Sequence, residues 1–155
     1  CSCGNTGCLE SVASGAAIAE QGQELVRAGA APGLAALCGG DVTRIDAQMV
    51  FDAAKAGDAD AARLMEDAAE YTGVALAISI NMLDPDEIYL CGGLIKDNPA
   101  FLQRIKDYTR QRQMRFAGRH VVIQAGSKDE WHVARGATLM ILENGRKFDA
   151  LSFLY

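Results

Sequence analysis

The chain has 155 residues, half of them hydrophobic, and a formal net charge of −5, which is enough apolar material for one compact domain with its own core. The acidic balance excludes a broad phosphate-binding footprint for nucleic acid on this part of the molecule. Asp, Glu, Lys or Asn interrupts every apolar run before the ~20 residues a membrane span needs, and no secretory leader is visible, so the chain is expected to be soluble and cytoplasmic.

Residues 9–29 carry apolar positions at helical spacing and end at glycine, which predicts one helix. Residues 30–46 read as an irregular connection or a short helix with turns. Asp46 is expected to open a helix running to Ala56, and the GDAD stretch to restart one that is long, alanine-rich and largely buried, ending before Asp84-Pro85. Beyond Pro85 the pattern changes. EIYLCGG predicts a buried strand and a glycine turn, Asn98-Pro99 a helix start, RHVVIQAGS a second strand, and WHVARGATLMILENG a last helix closed at Gly145. The order is α/β with a small, mostly parallel sheet. Two strands make a poor sheet alone, so the chain is expected to be part of something larger. The closing RKFDALSFLY is apolar for a terminus and is expected to dock on a partner surface. Basic residues gather over 104–120, but Asp107 lies among them and a solvated helix face accounts for the run.

Three of the five cysteines fall within the opening CSCGNTGC. Five is an odd number, and Cys38 and Cys91 stand alone in apolar surroundings, where cysteine commonly serves as a small buried hydrophobe. A secreted disulfide framework would hold more cysteine and less core. Cys1, Cys3 and Cys8, spaced C-x-C-x4-C around Gly4 and Gly7, read as most of a tetrahedral metal site, with redox or incidental thiols as the alternatives. The two histidines, His120 and His132, lie far along the chain and read as ordinary surface or capping residues before they read as ligands.

These residues resemble a known family. CSCGNTGCLESVAS is similar to the cysteine-rich signature C-x-C-G-x-x-G-C-x-E of the ROK family of bacterial sugar kinases and sugar-responsive repressors. Cys1, Cys3, Gly4, Gly7, Cys8 and Glu10 fill every fixed position. LDPDEIYLCGGLI resembles the family's strand and glycine turn near the nucleotide, and ARGATLMIL its closing helix. The likeness runs the length of the chain but covers only about the C-terminal half of a full member.

The resemblance implies the C-terminal part of an actin-like, ribonuclease-H-like ATPase fold. Its segments would be a zinc knuckle over residues 1–10, a helical region over 11–84, a strand-helix-strand-helix region over 85–145 and an apolar tail over 146–155. It implies a zinc ion on Cys1, Cys3 and Cys8, with a histidine upstream of the chain as fourth ligand. It also implies sugar binding through Glu10, whose carboxylate suits vicinal hydroxyls; the plain alternative is a first-turn glutamate favoured by the helix dipole. Gly92 and Gly93 match the turn beside ATP, although Cys91 stands where kinases commonly carry a third glycine. The family's catalytic aspartate and phosphate loop lie upstream, so no residue here is assigned to catalysis and the chain alone is not expected to phosphorylate sugar. The expected function is the sugar-binding and oligomerisation part of a sugar-responsive repressor, reaching DNA only through a separate N-terminal domain. The second reading is the C-terminal part of an ATP-dependent sugar kinase of the glucokinase or N-acetylglucosamine kinase type. Either way the resemblance implies a homodimer or larger homo-oligomer.

Overall fold

The computed structural model describes residues 1–96, 98–116, 120–126 and 131–145. The chain divides into two compact units, Cys1–Ala125 and Gly126–Tyr155.

In the first unit, α1 (Glu10–Ala13) and α2 (Gly15–Arg27) replace the single helix expected over 9–29. Ser14 breaks it. Its backbone is extended and its hydroxyl accepts from Ala17 N at 3.1 Å, so a side chain suited to capping outcompetes an apolar periodicity that runs on through the break. Next come α3 (Pro32–Cys38) and a 3-10 turn at Val42–Arg44, both within the region read as a connection or short helix. Asp46 caps α4 (Ala47–Lys55) through Met49 N at 2.8 Å, and Asp58 caps α5 (Ala59–Leu83), the long helix expected from the alanine-rich run.

Helix α5 lies against α1, α2, α4 and α7 (Pro99–Arg112). Its partly polar sequence still presents Leu64, Met65, Ala68 and Ala69 to a core shared with Ile18, Leu34, Val50 and Ile105. Each fully buried Ile or Leu contributes about 1.5–3 kcal/mol. At the α5–α7 crossing a β-carbon on Gly73 would stand 2.5 Å from Tyr108 Cβ and 3.0 Å from Thr109 N. Only glycine lets the two backbones come this close.

Strands β1 (Glu87–Leu90) and β2 (Val122–Ala125) form a two-stranded parallel sheet, Glu87 opposite Val122 and Leu90 opposite Ala125. Between β1 and α7 lies α6 (Gly93–Lys96), a single helical turn where the paired glycines predict only a turn. The second unit holds α8 (His132–Gly145), the expected last helix. The apolar tail over residues 146–155 falls outside the described residues. No described helix is long and apolar enough to cross a membrane.

Candidate functional site

Within the first unit the helix starts and the end of β1 enclose a cavity of about 660 Å³. Leu9 and Glu10 form one wall, the first residues of α2 and α4 another, and the segment from Leu90 to Ile95 a third; Phe101 and Ile105 of α7 and Thr72 of α5 complete it. Glu10, Cys91, Gly92 and Gly93, which the sequence reading placed at separate points of the chain, thus share one cavity. The Glu10 carboxylate makes no hydrogen bond or ion pair among the described residues and is exposed. Gly92 has φ of +124°, a conformation open in practice only to glycine, and its carbonyl accepts from Ile95 and Lys96 N to start α6. Neither Gly92 nor Gly93 has an atom within 4 Å of where a β-carbon would stand, so this turn faces open space.

Asp46, Ser14 and Thr72 also line the cavity, and sequence reasoning did not find them there. The signal for Asp46 was present but was read only as a helix start. Its side chain serves both purposes, since one oxygen caps α4 and the residue faces the cavity. The cavity therefore combines carboxylate acceptors from Glu10 and Asp46 with hydroxyls, the positive ends of α2 and α4, and an apolar floor. Acceptors, hydroxyls and apolar surface in this mixture are chemically suited to a small neutral molecule rich in hydroxyls.

One residue ahead of this wall lies the cysteine cluster. The Cys1, Cys3 and Cys8 sulfurs lie within 4.8 Å of one another, and Cys3 Sγ is 3.5 Å from Cys8 Sγ. Gly4 and Gly7, at φ of +85° and +75°, fold the knuckle that brings them together. The backbone N–H of Asn5, and then the Cys8 thiol, hold the Cys3 thiol below its usual pKa. Tetrahedral zinc with Zn–S bonds of ~2.3 Å spaces its sulfurs about 3.8 Å apart, so the donor set and its spread fit such an ion. The cluster can hold a metal ion; among the described residues no fourth His, Cys, Asp or Glu joins it. His120 lies elsewhere, its Nε2 at 3.5 Å from Asp86 Oδ1 on the surface. His132 opens α8 in the second unit, and its side chain is outside the described residues.

The ROK family model matches residues 1–144. A glucokinase of Halalkalibacterium halodurans is 38% identical over 111 residues, covering 70% of this chain and 32% of the relative. The DNA-binding transcriptional dual regulator NagC of Escherichia coli K12 is 30% identical over 106 residues, covering 68% of this chain and 25% of that protein. Among solved structures, a ROK family glucokinase from Streptomyces griseus in complex with glucose and AMPPNP superposes with a TM-score of 0.66 at 27% identity, over 79% of this chain and 41% of its own. The chain thus spans about a third or less of these curated relatives, and they include both an enzyme and a regulator. The α/β fold is that of the actin-like ROK kinases. With the signature knuckle, the cavity and the family match over nearly its whole length, the chain belongs to the ROK family.

Proposed function

We propose that the cavity binds a sugar and that the chain is the sugar-binding and oligomerisation part of a sugar-responsive transcriptional repressor. The observation that carries the sugar is Glu10, a carboxylate without a partner among the described residues, set in a cavity with a second carboxylate, Asp46, and the hydroxyls of Ser14 and Thr72. Cys91 favours the repressor. Its side chain is exposed on the cavity wall beside Gly92, where a third glycine would leave the room a nucleotide phosphate needs. DNA contact belongs to a domain outside these residues, and a second copy of the chain is the expected partner.

The knuckle over residues 1–10 acts in this reading as a structural zinc site, with Cys1, Cys3 and Cys8 as three ligands and an upstream histidine as the fourth. Bound zinc would cross-link the knuckle and so fix the start of α1, on which Glu10 sits. Residues 11–84 supply the helical frame, 85–145 the sheet and its helices, and 146–155 an apolar docking tail.

A second reading, part of an ATP-dependent sugar kinase, is favoured by the 38% identity to a glucokinase; ATP belongs only to that reading. Calorimetric titration separates the two. The repressor reading predicts saturable binding of glucose or N-acetylglucosamine and no saturable binding of AMPPNP. Tight AMPPNP binding that the Cys91→Gly variant strengthens further would favour the kinase instead. In a coupled assay with sugar and ATP the chain alone is expected to show no turnover, since no residue in it is assigned to activate the sugar hydroxyl.

A further inference from the structure

We propose that Asn98 is a positioning residue for the cavity: its side-chain amide, turned away from the helix it begins, fixes the short wall formed by Gly92 to Ile95. The expected effect on ligand affinity rests on the sugar reading of the cavity; the effect on the wall does not. The wall needs such a tether. A four-residue helix has too few internal bonds to hold itself in water, and α6 starts on the Gly92 carbonyl, which accepts from Ile95 N at 3.2 Å and Lys96 N at 3.1 Å. No atom stands within 4 Å of where a β-carbon would sit on Gly92 or Gly93, so nothing packs against the turn there. Leu94 and Ile95 are half-buried against the core, but apolar contact has no preferred direction.

Asn98 supplies the direction. It is 2% exposed, and burying an amide is costly unless its polar atoms are bonded. Its Nδ2 donates to the Leu94 carbonyl at 2.8 Å, and its backbone N–H to the Ile95 carbonyl at 3.4 Å. Both carbonyls belong to the end of α6, where a helix leaves its last four C=O groups without internal partners. On the other side, the Asn98 carbonyl accepts from Leu102 N at 3.1 Å, in the first turn of α7. One buried residue therefore joins the wall to a helix whose Phe101 and Ile105 line the same cavity.

The residue type matters. At a helix start, asparagine commonly turns its side-chain oxygen onto an N–H of the first turn, as the side chains of Ser14, Asp46 and Asp58 do in this chain. Asn98 heads α7 without such a bond and spends its side-chain N–H on Leu94 instead. An ionised aspartate has nearly the same shape but only accepts, so it cannot replace this donor.

The test compares the 155-residue chain with Asn98→Asp and Asn98→Ala, by hydrogen exchange and by calorimetry with glucose and N-acetylglucosamine. The first variant keeps the shape and removes the donor; the second removes the amide without adding a charge. In both, the amides of Ile95 and Lys96 are expected to exchange about 2- to 10-fold faster, as loss of one hydrogen bond implies, and sugar affinity to fall by a similar factor. Cys38→Ala, which thins the core at a buried position away from the cavity, is expected to leave affinity unchanged. Unchanged exchange at Ile95 and Lys96 would overturn the tether. Faster exchange with wild-type affinity, or an equal loss of affinity in Cys38→Ala, would overturn the positioning role. If the wild-type chain binds neither sugar, the sugar reading fails, and exchange in α6 alone decides the tether.

Discussion

Asp58 holds two helix starts with one carboxylate. Oδ1 accepts from Asp60 and Ala61 N to cap α5, while Oδ2 accepts from Gly33 N at 2.7 Å and Leu34 N at 3.1 Å at the start of α3. Burial pushes its pKa up, but the N–H groups of Ala61, Leu34, Gly33 and Asp60 together outweigh burial and hold it below the usual carboxylate value. With ~1–2 kcal/mol typical of a lost cap, Asp58→Ala removes two and is expected to lower stability by about 2–4 kcal/mol in urea unfolding. The pH dependence has a definite sign. Because the folded value is depressed, the stabilisation is complete above the unfolded value of about 3.9 and is lost as pH falls through the lower folded value. The gap between wild type and Asp58→Ala is therefore expected to narrow only in acid. A gap that stays constant through that range would show that the carboxylate's charge plays no part.

At the level of elements, α5 and α7 are joined both by ion pairs and by close packing. Glu66 accepts from Arg104 and from Tyr108 Oη at 2.6 Å, Arg112 reaches Glu70 at 2.6 Å, and Arg104 lies 5.4 Å above the Tyr108 ring. All four charged side chains are at least a third exposed, and such pairs contribute about 0–1 kcal/mol each. The Gly73 crossing is worth more, because a methyl group there would collide with Tyr108 Cβ and the α7 backbone. Gly73→Ala is expected to cost about 1–3 kcal/mol, against less than about 1 kcal/mol for Glu66→Gln. Urea unfolding of both variants checks the order; a larger loss for Glu66→Gln would reverse the account of this interface. The same elements show how far the sequence reaches. Starts at Asp46, Asp58 and Pro99 were legible because a cap or an N-terminal proline acts within one turn of chain. The break at Ser14 was hidden by apolar residues on both sides, and α6 is too short to leave a periodicity. The cysteine-rich signature singled out Glu10, and the likeness of LDPDEIYLCGGLI singled out Gly92 and Gly93, but neither pattern records that the three line one cavity. Thr72 and Asp46 enter the cavity only because α5 and α4 pack there, which no local pattern records.

For the whole molecule, the knuckle and the exposed apolar surface each carry an expectation. A longer protein that supplies the proposed fourth ligand, a histidine ahead of Cys1, is expected to hold close to one zinc by elemental analysis. Without that ligand, occupancy is expected to be partial and to fall further with Cys3→Ser, since a tetrahedral site short of donors loses affinity. Met82 and Leu83 at the end of α5 are 77% and 74% exposed, and Phe148, Leu151, Phe153, Leu154 and Tyr155 add apolar side chains to the tail. Apolar surface of this kind favours a symmetric dimer. Light scattering is expected to give a mass well above the 16.5 kDa monomer and to move toward it when residues 148–155 are deleted; a monomer that persists on concentration would contradict the association. The central claim is that Glu10 reads sugar hydroxyls in the cavity. Calorimetry of glucose and N-acetylglucosamine against the wild-type chain and Glu10→Gln tests it most directly. The account predicts saturable binding of at least one sugar, weakened in the variant by about 10- to 100-fold, as befits loss of a charged acceptor. Equal affinity in the two proteins, or no binding of either sugar by the wild type, would contradict it.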